Sequence, residues 1–210
     1  MHHKTVKILV RCYLQLDPSS NITEHRDMTT KPPTILGAAT KLFWIDLEMT
    51  GLDVEKEVII ECAALITDMN YNVLDSYETV VKQPQTYLDS MDDWNKSHHR
   101  DSGLTAKVPF GEEPDNVEHK LMQMVKKHFP QNERPILAGN SIAQDRLFID
   151  KYWMGFSSLL HYRVLDVSSW KIIFNSQFGI KYEKKNAHRA LDDIHESIDE
   201  LKFYLKYVKV

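Results

Sequence analysis

The segment Phe43-Trp-Ile-Asp-Leu-Glu-Met-Thr-Gly-Leu52 is an apolar run that carries two acids and ends at a Thr-Gly turn signal. Because residues i and i+2 of a β-strand share a face, the carboxylates of Asp46 and Glu48 project together, roughly 6.5 to 7 Å apart along the backbone. The opposite face carries three apolar side chains, Phe43, Ile45 and Leu47. Such a strand suits the interior of a sheet, where carboxylates are costly unless a cation neutralises them. The segment therefore predicts a buried strand with a metal-binding spacing, and an exposed edge strand is the alternative.

Two further strands follow this segment. Residues 58–66 form a long apolar run that begins with β-branched side chains, and residues 73–81 are rich in β-branched and aromatic residues. The polar residues 69–72 between them are typical of a tight turn. With the first strand placed at residues 41–49, the pattern predicts a meander of three antiparallel strands.

Helices and short strands alternate in the second half of the chain. Helical spacing of apolar residues predicts helices from Asp115 to about residue 128, from Ser141 to about residue 152, over 170–178 after a Ser-Ser cap, and from about 189 to 208. Residues 135–139 and 162–167 are typical of short strands. The order predicts a mixed α/β sheet flanked by helices, formed by residues 41–210. The Pro-containing residues 1–40 are predicted to be a flexible N-terminal extension.

Composition restricts the possible functions of the 210 residues, of which 42% are hydrophobic and 27% charged. The net charge of −4 argues against wrapping of a long nucleic acid and favours a short or end-bound ligand. Only Cys12 and Cys62 are present, one in the N-terminal segment and one inside an apolar run, so no disulfide framework is indicated and a reducing compartment is favoured. We expect a cytoplasmic location, with mitochondria as a minority alternative.

Further acids occur where helices begin. Asp145 lies in the first turns of a helix that follows a strand, and the pair Asp192-Asp193 lies near the start of the last helix. Four carboxylates, counting one member of that pair, balance the charge of two divalent cations that could clamp a phosphodiester. His188 could then deprotonate the attacking water. Taken singly, each residue is better explained as a helix-turn acid, a solvated helix face or a surface histidine.

Together these residues resemble a known family. Asp46-x-Glu48, Asn140-Ser-x-x-x-Asp145 and His188-x-x-x-x-Asp193 are similar to the three motifs of the DEDDh class of 3′-to-5′ exonucleases, which have a ribonuclease-H-like fold. The stretches Met91-Asp-Asp-Trp-Asn95 and His161-Tyr-Arg-Val-Leu-Asp-Val-Ser168 extend the resemblance to the oligoribonuclease family. The similarity covers about residues 41–207.

The resemblance implies roles for individual residues. The metal ligands would be Asp46, Glu48, Asp145 and Asp193, holding two Mg²⁺ or Mn²⁺ ions, and the catalytic residues would be His188 as general base and Tyr162. Asp166 is interpreted as structural. The substrate-binding residues would be Met49, Leu52, Trp94, His99, Ser141, Gln144, Arg163, Ser168 and Lys171. Among these, the apolar and aromatic side chains suit bases, and Arg163, Ser168 and Lys171 suit a terminal phosphate, whereas core packing is the alternative for Leu52 and Trp94.

The activity implied is removal of 5′-mononucleotides from the 3′ end of very short RNA, chiefly dinucleotides, by a homodimer. The partner segment that closes over the far end of the substrate would include Arg163, Ser168 and Lys171. An exonuclease of the same class that acts on longer single-stranded DNA or RNA is the alternative. A metal-free binding module that has kept the fold is a third possibility, which the intact set of five catalytic residues disfavours.

Overall fold

The computed structural model describes residues 39–183 and 190–208. Within them lie five strands: β1 (Lys41–Met49), β2 (Ile59–Asp68), β3 (Val73–Val80), β4 (Ile136–Gly139) and β5 (Val164–Asp166). The α-helices are α1 (Gln85–Ser90), α2 (Asp93–Asp101), α3 (Pro114–His128), α4 (Ile142–Tyr152), α5 (Met154–Leu159), α6 (Val167–Phe178) and α7 (Ala190–Leu205), with a 3-10 turn at Val108–Phe110. No helix in these ranges is long and apolar enough to span a membrane. The predicted extension, residues 1–40, lies outside the described residues except for its last two.

The five strands form one mixed sheet in the order β3-β2-β1-β4-β5. β1 pairs antiparallel with β2, and β2 pairs antiparallel with β3, which confirms the predicted meander. On its other side β1 runs parallel to β4, and β4 runs parallel to β5. The carboxyl ends of β1, β4 and β5 therefore meet at one edge of the sheet, which is where polar sites form in parallel sheets.

Successive side chains of β1 alternate between two apolar layers, one on each face of the sheet. Phe43, Ile45 and Leu47 pack with residues of α3, α4 and α5 on one face of the sheet. Leu42 and Trp44 pack on the other face with α6 and α7. Since side chains alternate along a strand, Asp46 and Glu48 continue the second face and are directed towards the start of α7.

Several predicted boundaries are corrected. The helix α2 was not predicted from the sequence, and its N-cap Asp92 accepts a hydrogen bond from the amide of Asn95 at 2.8 Å. Asp115 lies in the first turn of α3 and does not cap it, because Pro114 already starts the helix. α6 begins earlier than predicted, and its cap is Asp166, whose carboxylate accepts from the amide of Ser168 at 2.9 Å.

The short strand β5 is also shifted. It begins at Val164, so Tyr162, predicted to lie in the strand, belongs to the connection that precedes it. The structural interpretation of Asp166 is supported, because this residue ends β5 and caps α6.

Candidate active site

Three carboxylates converge at the carboxyl end of β1. Oxygens of Asp46, Glu48 and Asp193 lie within 4.8 Å of one another. The first two project from one face of β1, and α7 is held against that face by the packing of Ile194 against the sheet. Asp192, the other candidate of the pair, is exposed. The geometry thus favours Asp193 as the residue that joins the cluster.

Asp145 reaches the same region from α4, on the opposite layer. Its Oδ1 accepts the backbone N–H of Leu47 at 3.0 Å, and the side chain is 6% exposed. β1 extends beyond the end of its pairing with β4, which stops at Trp44 and Ala138, so the Leu47 amide needs another acceptor. Burial raises the pKa of Asp145 to about 7, although the hydrogen bond from Leu47 opposes the rise.

The backbones of β1 and β4 approach each other unusually closely at this edge of the sheet. A Cβ atom at Gly139, the last residue of β4, would lie 2.9 Å from the carbonyl oxygen of Ile45. Only glycine fits at this distance without displacing backbone. The glycine therefore lets the start of α4, and with it Asp145, lie directly beside β1.

A fifth acid, Glu61, was not identified from the sequence. It lies on β2 directly opposite Glu48, on the same face, and is 4% exposed. Burial raises the pKa of Glu48 to about 7, and the charges of Glu61 and Asp193 add to the rise. The sequence signal for Glu61 was a lone acid in the apolar run 58–66. The sequence does not specify the strand register that places this acid opposite Glu48.

The donor set fits divalent cations. Several buried or half-buried carboxylates at one point repel one another, and raised pKa values are the expected result. Hard cations such as Mg²⁺ and Mn²⁺ prefer oxygen ligands of this kind. Asp46, Glu48, Asp145 and Asp193 would hold them, as the resemblance implies.

The turn after β1 is held by side-chain contacts. Thr50 Oγ1 accepts the amide of Val58 at 3.0 Å, and the Gln144 side chain donates to the carbonyl of Leu52 at 2.8 Å. The Leu52 side chain is 74% exposed. A large apolar side chain on a backbone fixed in this way is available to a ligand, and the alternative of core packing is excluded for Leu52.

α2 supplies the aromatic surface beside this turn. Trp94 is 69% exposed and stacks on His98 at 4.8 Å between ring centroids, so it is not a core residue either. His99 is buried, and its Nε2 lies 2.9 Å from the carbonyl oxygen of Met49. The Met49 side chain is 8% exposed and packs in the core, so only a small part of its surface is accessible to a substrate.

The residues predicted to bind a terminal phosphate, Arg163, Ser168 and Lys171, are only partly brought together, and Ser168 lies beside the predicted substrate-binding residue Ser141. Ser141 has a left-handed backbone (φ 52°), and its amide lies 2.9 Å from Ser168 Oγ and 3.0 Å from Asp166 Oδ1. Lys171 is exposed on α6 one turn beyond Ser168. Arg163, in contrast, precedes β5 and lies at the other end of that strand.

A buried polar network supports the serine pair formed by Ser141 and Ser168. The Asn140 side chain accepts from Ser168 Oγ at 3.2 Å and donates to Glu200 at 3.2 Å. Glu200 is fully buried and also accepts the hydroxyl of Tyr204 at 3.0 Å. The network ties α7 to the ends of β4 and β5, so the same helix that carries Asp193 fixes the serine pair.

Tyr162 does not lie near the acids of its own chain. Val164 is level with Leu137, which is level with Phe43, five residues before Glu48 on β1. At about 3.3 Å per residue, Tyr162 lies roughly 15 Å or more from the carboxylate cluster along the strand direction. The Tyr162 ring is 77% exposed and stacks on His161 at 4.5 Å.

His188 falls outside the described residues, so its predicted role as base stays a prediction. It precedes Ala190, where α7 begins, by two positions, and Asp193 lies in the first turn of that helix.

A family model described as "Exonuclease" matches residues 43–201. The mitochondrial oligoribonuclease of Homo sapiens is 46% identical over 172 residues, covering 79% of this chain and 72% of the relative. The oligoribonuclease of Francisella tularensis subsp. tularensis is 44% identical over 172 residues, covering 80% of this chain and 95% of the relative.

Solved structures show the fold at much lower identity. Escherichia coli exonuclease I in complex with a dT13 oligonucleotide superposes with a TM-score of 0.60 at 14% identity, covering 79% of this chain. The present chain spans 41% of that protein's length. The likeness confirms the exonuclease fold predicted from the sequence. With its exonuclease domain and its 44–46% identity to oligoribonucleases over most of its length, the chain belongs to the oligoribonuclease family of exonucleases.

Proposed function

We propose that this protein is a 3′-to-5′ exoribonuclease that hydrolyses very short RNA, preferably dinucleotides, to 5′-mononucleotides. The convergence of Asp46, Glu48 and Asp193, with Asp145 bonded to the same strand, is the observation that carries the proposal. Family membership and the names of the relatives support the choice of RNA oligonucleotides as substrate. We further propose residues 41–210 as the exonuclease domain and residues 1–40 as an extension.

Two divalent cations, Mg²⁺ or Mn²⁺, belong to this proposal. When bound, they activate the attacking water and stabilise the leaving oxygen of the phosphodiester. Asp46, Glu48, Asp145 and Asp193 would hold these ions at the carboxyl edge of the sheet. His188 takes the proton from the attacking water as general base.

Substrate length follows from the exposed groups. Leu52 and Trp94 present one apolar and one aromatic surface beside the acids, enough for two bases at roughly 1 to 3 kcal/mol for each base stacked on an aromatic ring. Ser141, Ser168 and Lys171 lie together at the next helix starts and suit a 5′-phosphate. The net charge of −4 offers no field to hold a long strand. These features favour dinucleotides over the alternative, longer single-stranded DNA or RNA.

Length dependence tests the proposal. We would incubate the purified protein with 5′-labelled RNAs of graded length, from dinucleotides upwards, with Mg²⁺ or with EDTA. The dinucleotide should be hydrolysed fastest and only with metal. Rates that rise with length would overturn the dinucleotide preference in favour of the alternative, and metal-independent cleavage would overturn the two-metal assignment.

A homodimer would explain the position of Tyr162 and Arg163. Both lie at the end of β5 remote from the acids of their own chain, and Tyr162 is among the most exposed aromatic residues described. Arg163 lines the same cavity as Lys41, and because Lys41 is the first residue of β1, this cavity lies at the end of the strand opposite the acids. If these residues act on substrate, a second copy of the chain must bring them to the site.

Mixing of variants tests the dimer. Asp46→Ala and Tyr162→Ala should each be inactive alone, but in a re-equilibrated equal mixture about a quarter of the sites would combine an intact acid cluster with an intact partner tyrosine. Recovery of that activity, together with a dimer mass by light scattering, is the expected result. A mixture that stays inactive, or a fully active monomer, would show that Tyr162 does not act across an interface.

We propose a cytoplasmic location, which the free, buried thiol of Cys62 fits. Mitochondria remain the alternative, since the human relative bears that compartment in its name. Fluorescence microscopy of the tagged full chain distinguishes the two.

A further inference from the structure

Glu48 takes part in a second cluster of ligand atoms, in which its partners are two histidines and not the other carboxylates. One carboxylate oxygen of Glu48 and one ring nitrogen each of His98 and His99 lie within 4.8 Å of one another. Both histidines come from α2, and Glu48 comes from the carboxyl end of β1. The cluster therefore lies on the α2 side of Glu48, whereas Asp46 and Asp193 form the cluster with α7.

The hydrogen bonding of His99 leaves one ring nitrogen able to act as a metal ligand. Its Nε2 lies 2.9 Å from the Met49 carbonyl oxygen, and because a carbonyl only accepts, Nε2 carries the proton. The lone pair is then on Nδ1. The side chain is 2% exposed, so the position of the ring is set by its buried surroundings. A histidine that donates one N–H to a backbone carbonyl is the usual arrangement of a metal-bound imidazole.

His98 is also held in place. Its ring stacks on Trp94 with an angle of 9° between the planes, and it meets the His99 ring edge-on at 5.4 Å. Stacking limits the rotation of the ring, so less side-chain freedom is lost when the nitrogen binds an ion. The nearby carboxylates of Asp46 and Asp193 make the potential at this point negative, which favours a cation.

We propose that Glu48, His98 and His99 form an inhibitory Zn²⁺ site. Two imidazoles and one carboxylate are a donor set that zinc prefers and that Mg²⁺ does not, and water can complete a tetrahedron. Ligand atoms around such an ion lie about 3.3 Å apart, so the three side chains would converge by up to roughly 1.5 Å. Zinc held here withdraws Glu48 from Asp46 and Asp193 and so prevents assembly of the proposed catalytic metals. The inhibitory part rests on the proposed function, and zinc binding itself does not.

Binding is measured directly on the full chain. After removal of metals, ZnCl₂ is titrated calorimetrically in excess Mg²⁺, and Co²⁺ is used in parallel for its visible absorption. His98→Phe keeps a ring on Trp94 and removes both nitrogens, and His119→Phe changes an exposed histidine on α3 as the matched control. Zinc affinity should fall at least about tenfold in His98→Phe, with loss of the Co²⁺ absorption band, and should be unchanged in the control.

Inhibition is measured with a labelled RNA dinucleotide at saturating Mg²⁺. The zinc concentration for half inhibition should rise in His98→Phe by the same factor as the dissociation constant, relative to each variant's own zinc-free rate. Equal zinc affinity in His98→Phe and wild type would overturn the site. Zinc binding that depends on His98 but leaves the rate unchanged would overturn the inhibitory role. Absence of any RNA hydrolysis in Mg²⁺ alone would instead contradict the proposed function, while the calorimetry still reports on the site.

Discussion

Replacing Glu48 by glutamine should stabilise the metal-free protein at neutral and alkaline pH. In the folded chain the pKa of Glu48 is about 7, above its ordinary value of 4.5, because the side chain is buried beside Glu61 and Asp193. A pKa raised by folding means that the folded state favours the protonated acid. Its contribution to stability is therefore complete below about pH 4.5 and is lost as the pH rises through about 7. Glutamine cannot ionise, so the variant avoids this loss.

The magnitude follows from the two pKa values. The difference between 4.5 and about 7 corresponds to about 3 kcal/mol of folding free energy at pH 8, at 1.36 kcal/mol per tenfold change in equilibrium constant. In a domain of this size each kcal/mol moves the melting temperature by roughly 2 to 4 °C. Glu48→Gln should therefore melt about 6 to 12 °C higher than the wild type at pH 8 in EDTA. Near pH 4 the two proteins should melt at similar temperatures.

Thermal melts followed by circular dichroism, at several pH values and with either EDTA or Mg²⁺, check this expectation. Mg²⁺ should stabilise the wild type, by about 2.7 kcal/mol at a hundredfold excess over its dissociation constant, and should stabilise the variant much less. Asp192→Asn is the matched control, since Asp192 is an exposed acid next to Asp193. Equal gains for Glu48→Gln at pH 4 and pH 8, or a gain for the control as large as for the variant, would refute the electrostatic reasoning.

Three further predictions concern catalysis, binding and stability. His188→Ala should lower kcat by about 10² to 10⁴-fold with little change in KM in steady-state assays, and an unchanged kcat with a raised KM would make it a binding residue. Trp94→Ala should weaken dinucleotide binding in Ca²⁺ by about 1 to 3 kcal/mol, measured by calorimetry, whereas unchanged affinity would show that no base stacks there. Glu200→Ala should lower the free energy of unfolding, measured in urea, by roughly 2 kcal/mol or more, because the side chains of Asn140 and Tyr204 lose a buried acceptor. An unchanged free energy of unfolding would contradict the importance of this network.

The sequence determined the elements whose signals are local. Alternation of apolar side chains with Asp46 and Glu48 fixes the strand and the shared face of the two acids, since the period of a strand is two residues. Helical spacing and turn residues likewise placed α3, α4, α6 and α7 to within a few residues. The motif spacing also identified the family, because long motifs specify a fold more strongly than composition does.

Tertiary structure decided which groups meet. Adjacent acids such as Asp192 and Asp193 differ by about 100° around a helix, so only the packing of α7 on the sheet selects one of them. Glu61 reaches Glu48 through the register of two strands, which short-range patterns do not encode. Tyr162 and Ser168 lie six positions apart in the sequence but at opposite ends of β5, because a strand separates residues along its axis while parallel pairing aligns them with other strands. Local periodicity therefore determined the elements and one pair of acids, and long-range packing determined the composition of the site.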